Sequence, residues 1–203
     1  MKLYSSVGPN PRTVRMFAAE RGAALDIVKV DLRGGENRRE AFLEKNPSGQ
    51  TPALELDDGT VLAEITAICE YLDEITPGAS LIGTTPEERA ITRMWVRRID
   101  LNICEPIAQG YRYSDGLTMF EGRVHCLPEA ASGLKQIAQE RLSWLDGLIE
   151  GRIFICGDRL TLADILLYVF LDFGMKVAQP FSQDLATIPA WFARMQTRAA
   201  ARA

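Results

Sequence analysis

No two cysteines in this chain are spaced as CxxC, and the sequence contains a single histidine, His125. Cys69, Cys104, Cys126 and Cys156 are scattered, so the spacing that dithiol redox centres and zinc clusters require is missing. One histidine beside one cysteine does not complete a tetrahedral metal site. Ser–His–Asp hydrolysis would depend on the same His125, and no nucleophile-elbow sequence accompanies it. An excess of positive charge is also lacking: 23 basic against 27 acidic side chains leave a formal charge of -4, the wrong sign for a nucleic-acid partner. The longest apolar run, "ILLYVFL" at 165–171, falls far short of the roughly 20 residues that span a bilayer. The opening "MKLYSSVGPN" has neither the apolar core nor the cleavage site of an export signal. These absences lead to the expectation of a soluble, cytoplasmic protein without a metal, a nucleic-acid partner or a membrane.

What the sequence does have is 203 residues, of which 47% are hydrophobic, enough for one large or two small cores. "KLYSS" and "LDIVKVDL" read as strands around a helical "NPRTVRMFAAERG", in which Val14, Phe17 and Ala18 have helical spacing and Gly22 supplies the stop. That is a βαβ unit, with parallel strands and a right-handed crossover. A polar helical segment, "GENRREAFLEKN", precedes the strand runs "TPALELD" and "TVLAE", joined as a hairpin at Asp58-Gly59. A helix with Ile65, Ile68, Cys69, Leu72 and Ile75 on one face closes the order β-α-β-α-β-β-α. "TPGASLIGT" then reads as a linker, and everything beyond it is helical. Thr85 and Glu88 form a capping box opening a long helix that Pro106 should kink; Pro128 begins another, with Leu134, Ile137, Arg141, Leu145 and Leu148 in register. Thr161 and Asp164 make a second capping box ahead of the most apolar helix, and the terminal "RAAARA" is expected to fray. The predicted fold class is α/β plus all-α: an α/β domain over 1–76, a linker over 77–85 and a helical domain over 86–203.

Pro52 spoils the opening of its strand, where a ladder N–H should stand. Placement at a sheet edge is one explanation. The other is a cis Thr51–Pro52 bond that turns the N–H and C=O of Thr51 outward, free to pair with an extended peptide.

"NPSGQTPAL", the hairpin, "LAEITAICEYL" and "GDRLTLADI" together resemble the cytosolic glutathione transferases of bacterial type, and the resemblance spans essentially the whole chain. It implies a thioredoxin-like first domain with a cis proline, a helical second domain, and glutathione as co-substrate with no metal. It implies further that Thr51, before Pro52, pairs through its main chain with the cysteinyl part of glutathione, its side chain mattering little. The family's acid-plus-serine pair, which holds the γ-glutamyl end, corresponds to Glu64 and Ile65. Ile65 is a departure, because isoleucine has no hydroxyl to offer the ligand. Gln50, Arg38 and Arg39 are candidates for the glycyl carboxylate. The thiol-activating loop is "SSVGPNPR", where the position of the usual serine corresponds to Gly8, leaving Asn10 as the leading donor and Ser6, then Ser5, behind it. Asn10 has a second reading as a helix cap for Pro11. Tyr111, with Tyr113 and Met94 as alternatives, is the expected aromatic wall for a small electrophilic second substrate. Arg89, Arg93 and Arg97 form a basic stripe on a surface that faces solvent or a dimer partner, and the resemblance implies a homodimer.

The expected activity is transfer: glutathione thiolate attacks an electrophile, a peroxide or a disulfide. The alternatives are a non-catalytic glutathione or ligand carrier, which Ile65 favours, and a glutathione-dependent disulfide reductase.

Overall fold

The computed structural model describes all 203 residues and divides into two compact units, Met1–Leu81 with Ala199–Ala203, and Ile82–Arg198. The first unit's sheet consists of β1 (Lys2–Ser5), β2 (Asp26–Lys29), β3 (Ala53–Glu55) and β4 (Val61–Ala63) in the order β2-β1-β3-β4. β1 runs parallel to β2 and antiparallel to β3, as expected of a βαβ unit followed by a hairpin. Alternation along β1 sends Leu3 and Ser5 to one face and Tyr4 to the other. On the Leu3 face lie α1 (Pro9–Arg21) and α3 (Ile65–Ile75), packed together with Val14, Phe17, Ile68 and Leu72 fully buried. On the Tyr4 face, α2 (Glu40–Leu43) brings Phe42 edge-on to the Tyr4 ring at 6.1 Å.

The polar stretch before α2 is shorter in helix than its sequence suggests. A 3-10 turn over Glu36–Arg38 precedes the four residues of α2, because Arg39 takes an extended conformation between them. α1 ends as its sequence dictates, with Gly22 in the left-handed region (φ 70°).

A buried ion pair ties the helix ends together. Arg21 Nε stands 2.9 Å from Asp73 Oδ1 without an aligned hydrogen bond, and both side chains are almost wholly buried. The Arg21 guanidinium donates to the carbonyls of Asp73, Thr76 and Ala79. Asp73 accepts from Ser80 Oγ and Leu81 N. The chain's last residues return to this unit rather than fraying. Arg12 Nη2 donates to Ala201 O at 2.8 Å and Ala201 is buried, which gives the alanine-rich tail one fixed hydrogen bond and a small apolar seat.

The second unit is helical, with α4 (Pro86–Ile99), α5 (Glu105–Arg112), α6 (Leu117–Phe120), α7 (Ala131–Leu148), α8 (Leu162–Lys176) and α9 (Ile188–Gln196). Instead of a simple kink at Pro106, a π-helical turn over Asp100–Cys104 joins α4 to α5, with Glu105 N donating to Asp100 O. Proline clashes with the carbonyl four residues back, and the widened turn relieves that crowding. Thr85 caps α4 as expected, accepting from Glu88 N, but the Glu88 carboxylate reaches one residue further, to Thr84 N and Oγ1. α7 begins after a 3-10 turn at Pro128–Ala130. It buries Ala138, Leu142, Leu145 and Ile149, which leaves the expected register members Ile137, Arg141 and Leu148 on its outer face.

α8 is buried along nearly all its length and carries the second capping box. Its Asp164 accepts from Ile155 N, Thr161 N, Thr161 Oγ1 and Trp191 Nε1 at 2.8–3.0 Å. Burial pushes the Asp164 carboxyl pKa upward, and these four donors oppose it. No helix is long and apolar enough to cross a membrane.

Candidate functional site

The Thr51–Pro52 peptide is cis, and β3 begins one residue later at Ala53. The paired register of β3 and β4 ends at Ala53↔Ala63, so Pro52, just before β3, and Glu64, just after β4, flank the same end of the hairpin. Hairpin geometry therefore brings together two segments that lie a dozen residues apart in sequence.

Glu64 is exposed and caps α3 with φ 69°, a left-handed conformation that costs a non-glycine residue energy and is concentrated at functional sites. Its side chain makes no cap hydrogen bond to its own helix. The N–H groups at the start of α3, that of Ile65 included, open beside this carboxylate, a combination suited to a ligand bearing both an ammonium and a carboxylate.

The loop before Pro52 is held from below. Asn37 Nδ2 donates to Gly49 O at 2.6 Å, and Asn46 Nδ2 donates to Gln50 O at 2.8 Å. Gly49 has φ 62°, which favours glycine, and a Cβ there would crowd both Arg38 Nη1 and Asn37 O at 3.0 Å. Arg38 and Gln50 are thus on adjoining segments with exposed side chains, as is Arg39 beyond them.

Facing this loop is the turn between β1 and α1. Ser6 Oγ and Thr51 Oγ1 are 2.5 Å apart, and Ser6 Oγ also donates to Val7 O at 3.2 Å. The Thr51 side chain, expected to be of little consequence, fixes one side of the turn. Ser6 is buried and both its polar contacts are within the protein. Ser5 Oγ accepts from Arg15 Nη1 at 2.6 Å, and the same nitrogen lies 3.4 Å from Ser6 O. Burial, and secondarily the like charge of Arg12, lowers the Arg15 pKa, yet a guanidinium stays charged.

Asn10 does not cap α1. The helix starts at Pro9, with Gly8 at the cap position (φ 117°), so Asn10 is the second helical residue. The sequence offers two prolines as helix openers, Pro9 and Pro11, and the glycine before Pro9 accounts for the earlier start. The first turn of α1 contains no acidic residue, which leaves its positive end unneutralised. Under β3, Glu55 accepts from Tyr4 Oη at 2.7 Å and from Lys45 Nζ at 2.6 Å, and these donors hold its carboxyl pKa down to about 2.

Tyr111 belongs to the second unit. Its ring is edge-on to Phe173 at 5.2 Å and to Phe120 at 6.3 Å, and a Cβ on Gly116 would stand 2.7 Å from it. It is thereby fixed in orientation and only partly buried.

Sequence reasoning missed the Ser6–Thr51 contact and the place of Arg15, because both depend on which face of a strand or helix meets which loop. The spacing of Ser5 from Arg15 carries no motif that could have revealed them.

Two family models match the chain, "Glutathione S-transferase, N-terminal domain" over residues 7–75 and "Glutathione S-transferase, C-terminal domain" over residues 128–199. The chain is 31% identical to glutathione S-transferase 2 of Saccharomyces cerevisiae over 201 residues, 98% of this chain and 86% of the yeast protein. Among solved structures, a glutathione S-transferase domain-containing protein of Marinobacter aquaeolei VT8 superposes with a TM-score of 0.93 at 36% identity, covering 98% of this chain and 99% of that one. Gtt2 of Saccharomyces cerevisiae superposes with a TM-score of 0.91 at 32% identity, covering 100% and 99%.

Proposed function

The chain belongs to the glutathione S-transferase family, and on that footing we propose that it binds glutathione at the Thr51–Glu64 site and activates the thiol for attack on a small electrophile. The observation that carries the reading is the β3–β4 register, which ends at Ala53↔Ala63 and leaves Pro52 and Glu64 flanking the same end of the hairpin, with the Thr51 peptide before a cis bond and Glu64 in a strained backbone conformation at a helix N-terminus.

Each part of a γ-glutamyl tripeptide has a complement here. The Thr51 main chain pairs with the cysteinyl segment in the manner of an added strand. The Glu64 carboxylate takes the ligand's ammonium, and the N–H groups at the start of α3 take its α-carboxylate. Gln50 and Arg38 receive the glycyl carboxylate. The thiol then lies over the β1–α1 turn, at the positive end of α1, where Asn10 has the amide nearest in sequence that is not spent as a cap. A free thiol of this kind has a pKa of about 8.5, and each unit of depression corresponds to about 1.4 kcal/mol of preference for the thiolate. The thiolate forms a carbon–sulfur bond as the electrophile's leaving group departs with the electron pair. With a disulfide it forms a mixed disulfide instead, and the displaced thiolate departs.

A carrier with little turnover is the second reading. Two observations favour it: Ile65 offers no hydroxyl, and the Ser6 hydroxyl is engaged by Thr51 and Val7. Calorimetry with glutathione, followed by turnover with an aromatic chloride and separately with a mixed disulfide, tests both readings. Micromolar binding with turnover on either substrate is expected. Binding without turnover would establish the carrier, and the absence of binding would refute the site.

The partner surface proposed for a homodimer is the outer face of α4 and the turn after it. Ile91, Met94 and Leu101 recur there at helical spacing and are 44%, 41% and 48% exposed. Of the expected basic stripe, Arg89 is committed to the Gly83 carbonyl at 3.0 Å. Sedimentation at micromolar concentration is expected to give a dimer, and a monomer would refute the pairing.

A further inference from the structure

We propose that Arg15 is an electrostatic positioning residue for the glutathione thiol, a fixed cation beneath the β1–α1 turn that stabilises the thiolate without touching it. The inference rests on the glutathione-binding reading above and names a residue that reading does not use.

Arg15 and Thr51 are linked by an unbroken series of polar contacts. Arg15 Nη1 donates to Ser5 Oγ at 2.6 Å and stands 3.4 Å from Ser6 O. The Ser6 side chain in turn meets Thr51 Oγ1 at 2.5 Å. In the reading above, the Thr51 main chain pairs with the cysteinyl unit of glutathione, whose sulfur that pairing seats over this turn. The guanidinium is half withdrawn from solvent, which limits the screening of its charge, and its hydrogen-bond partners are a hydroxyl and a carbonyl rather than a carboxylate.

The other charged groups do not substitute for it. Arg12, on the same helix, directs Nη2 to the Ala201 carbonyl. Glu64, at the start of α3, faces the ligand's ammonium. Tyr4, Lys45 and Glu55 form their own cluster with the Tyr4 ring on the opposite face of the sheet. The first turn of α1 contributes no acid to oppose the cation. The hydroxyl that could have donated directly to the sulfur, Ser6 Oγ, already has Val7 O and Thr51 Oγ1 as partners. Long-range charge from Arg15 therefore adds to what the positive end of α1 and Asn10 supply at this turn.

By Coulomb's law a unit charge acting over about 8 Å, at an effective dielectric constant between about 20 and 80, is worth about a two- to thirtyfold change in a thiolate-to-thiol ratio. The test is an ultraviolet thiolate titration of glutathione bound to the wild-type protein, Arg15→Gln and Arg15→Lys, with affinity measured by calorimetry at a pH where the thiol is protonated. Arg15→Gln is expected to raise the bound thiol's pKa enough to lower the thiolate ratio at neutral pH by that factor, with affinity for the protonated ligand unchanged. Arg15→Lys is expected to retain most of the depression, which a purely structural role for the fork-shaped side chain would not allow. Ser5→Ala, which frees the guanidinium without removing it, is expected to raise the pKa partway and serves if Arg15→Gln does not fold. A depressed wild-type pKa that is unchanged in Arg15→Gln or, failing that, in Ser5→Ala overturns the role of Arg15 alone. An equal rise in the Gln and Lys variants overturns the electrostatic mechanism. A wild-type protein that binds no glutathione overturns the functional reading, and this inference with it.

Discussion

Removing Asp73 should loosen the first unit, because its carboxylate joins the end of α3 to α1 and to the segment that follows. The carboxylate has three partners: the Arg21 guanidinium at 2.9 Å, Ser80 Oγ at 2.5 Å and Leu81 N at 2.9 Å. In Asp73→Ala the buried guanidinium keeps its three carbonyl acceptors but loses its counter-charge, and the buried Leu81 N–H loses its acceptor. Breaking one side of a buried ion pair costs about 3–5 kcal/mol, of which an unsatisfied N–H accounts for about 1–3 kcal/mol. At about 2–4 °C per kcal/mol for a chain of this length, Tm falls by about 6–20 °C. Arg21→Met should cost less, because Asp73 retains Ser80 and Leu81 as donors. The pair Arg21→Met/Asp73→Ala should be less destabilised than the sum of the two single variants by about 1–3 kcal/mol, since no lone charge remains buried. Chemical denaturation followed by far-ultraviolet circular dichroism measures all three. Additive single-variant effects, or an Asp73→Ala cost below about 1 kcal/mol, would refute the claim that the charge pair holds α1, α3 and the segment after them together.

Three further outcomes follow from the same geometry. Ile65→Ser restores a hydroxyl beside Glu64, and one hydrogen bond to a charged ligand group is worth about 1.5–3 kcal/mol, so calorimetry should show glutathione binding about ten- to a hundredfold tighter; unchanged affinity would mean that the backbone N–H already suffices. Asp164→Ala strands Ile155 N, Thr161 N and Trp191 Nε1 in the interior and should destabilise the second unit by about 3–5 kcal/mol in thermal melts, with Asp164→Asn costing less because its amide oxygen can still accept. Glu55 has a folded-state pKa of about 2, below the ordinary 4.5, so its stabilising effect is fully present above about pH 4.5 and is lost as pH falls through about 2; in acid titrations followed by fluorescence, the stability difference between wild type and Glu55→Gln should vanish across that window.

The sequence is most legible where local chemistry and tertiary structure agree. Asp58-Gly59 makes its hairpin, Gly22 stops α1, and the Thr161–Asp164 pair caps α8, because in each case a short-range hydrogen bond or a φ preference decides the conformation before packing does. Legibility fails where two short-range signals compete. Pro9 and Pro11 both open helices, and Gly8 settles the choice two residues earlier than Asn10 would, turning an expected cap into a side chain on the first helical turn. It fails again on α7, where leucine and isoleucine occur on both faces and spacing alone does not say which is inward. The candidate site shows the same division. Pro52 stands out because a proline at the opening of a strand is locally anomalous, whereas Thr51 and Glu64 are singled out by the resemblance of their motifs to the glutathione transferases, and the hairpin leaves Pro52 and Glu64 at one end of the β3–β4 pair. Ser6 and Arg15 are locally ordinary, a serine after a strand and an arginine on an amphipathic helix. Their place in the site comes from one contact across forty-five residues and another across ten, which only the folded chain makes. The thiol-activating device we propose, built from charge at a distance, therefore leaves less trace in the sequence than one built from a tyrosine or serine pointing at the sulfur.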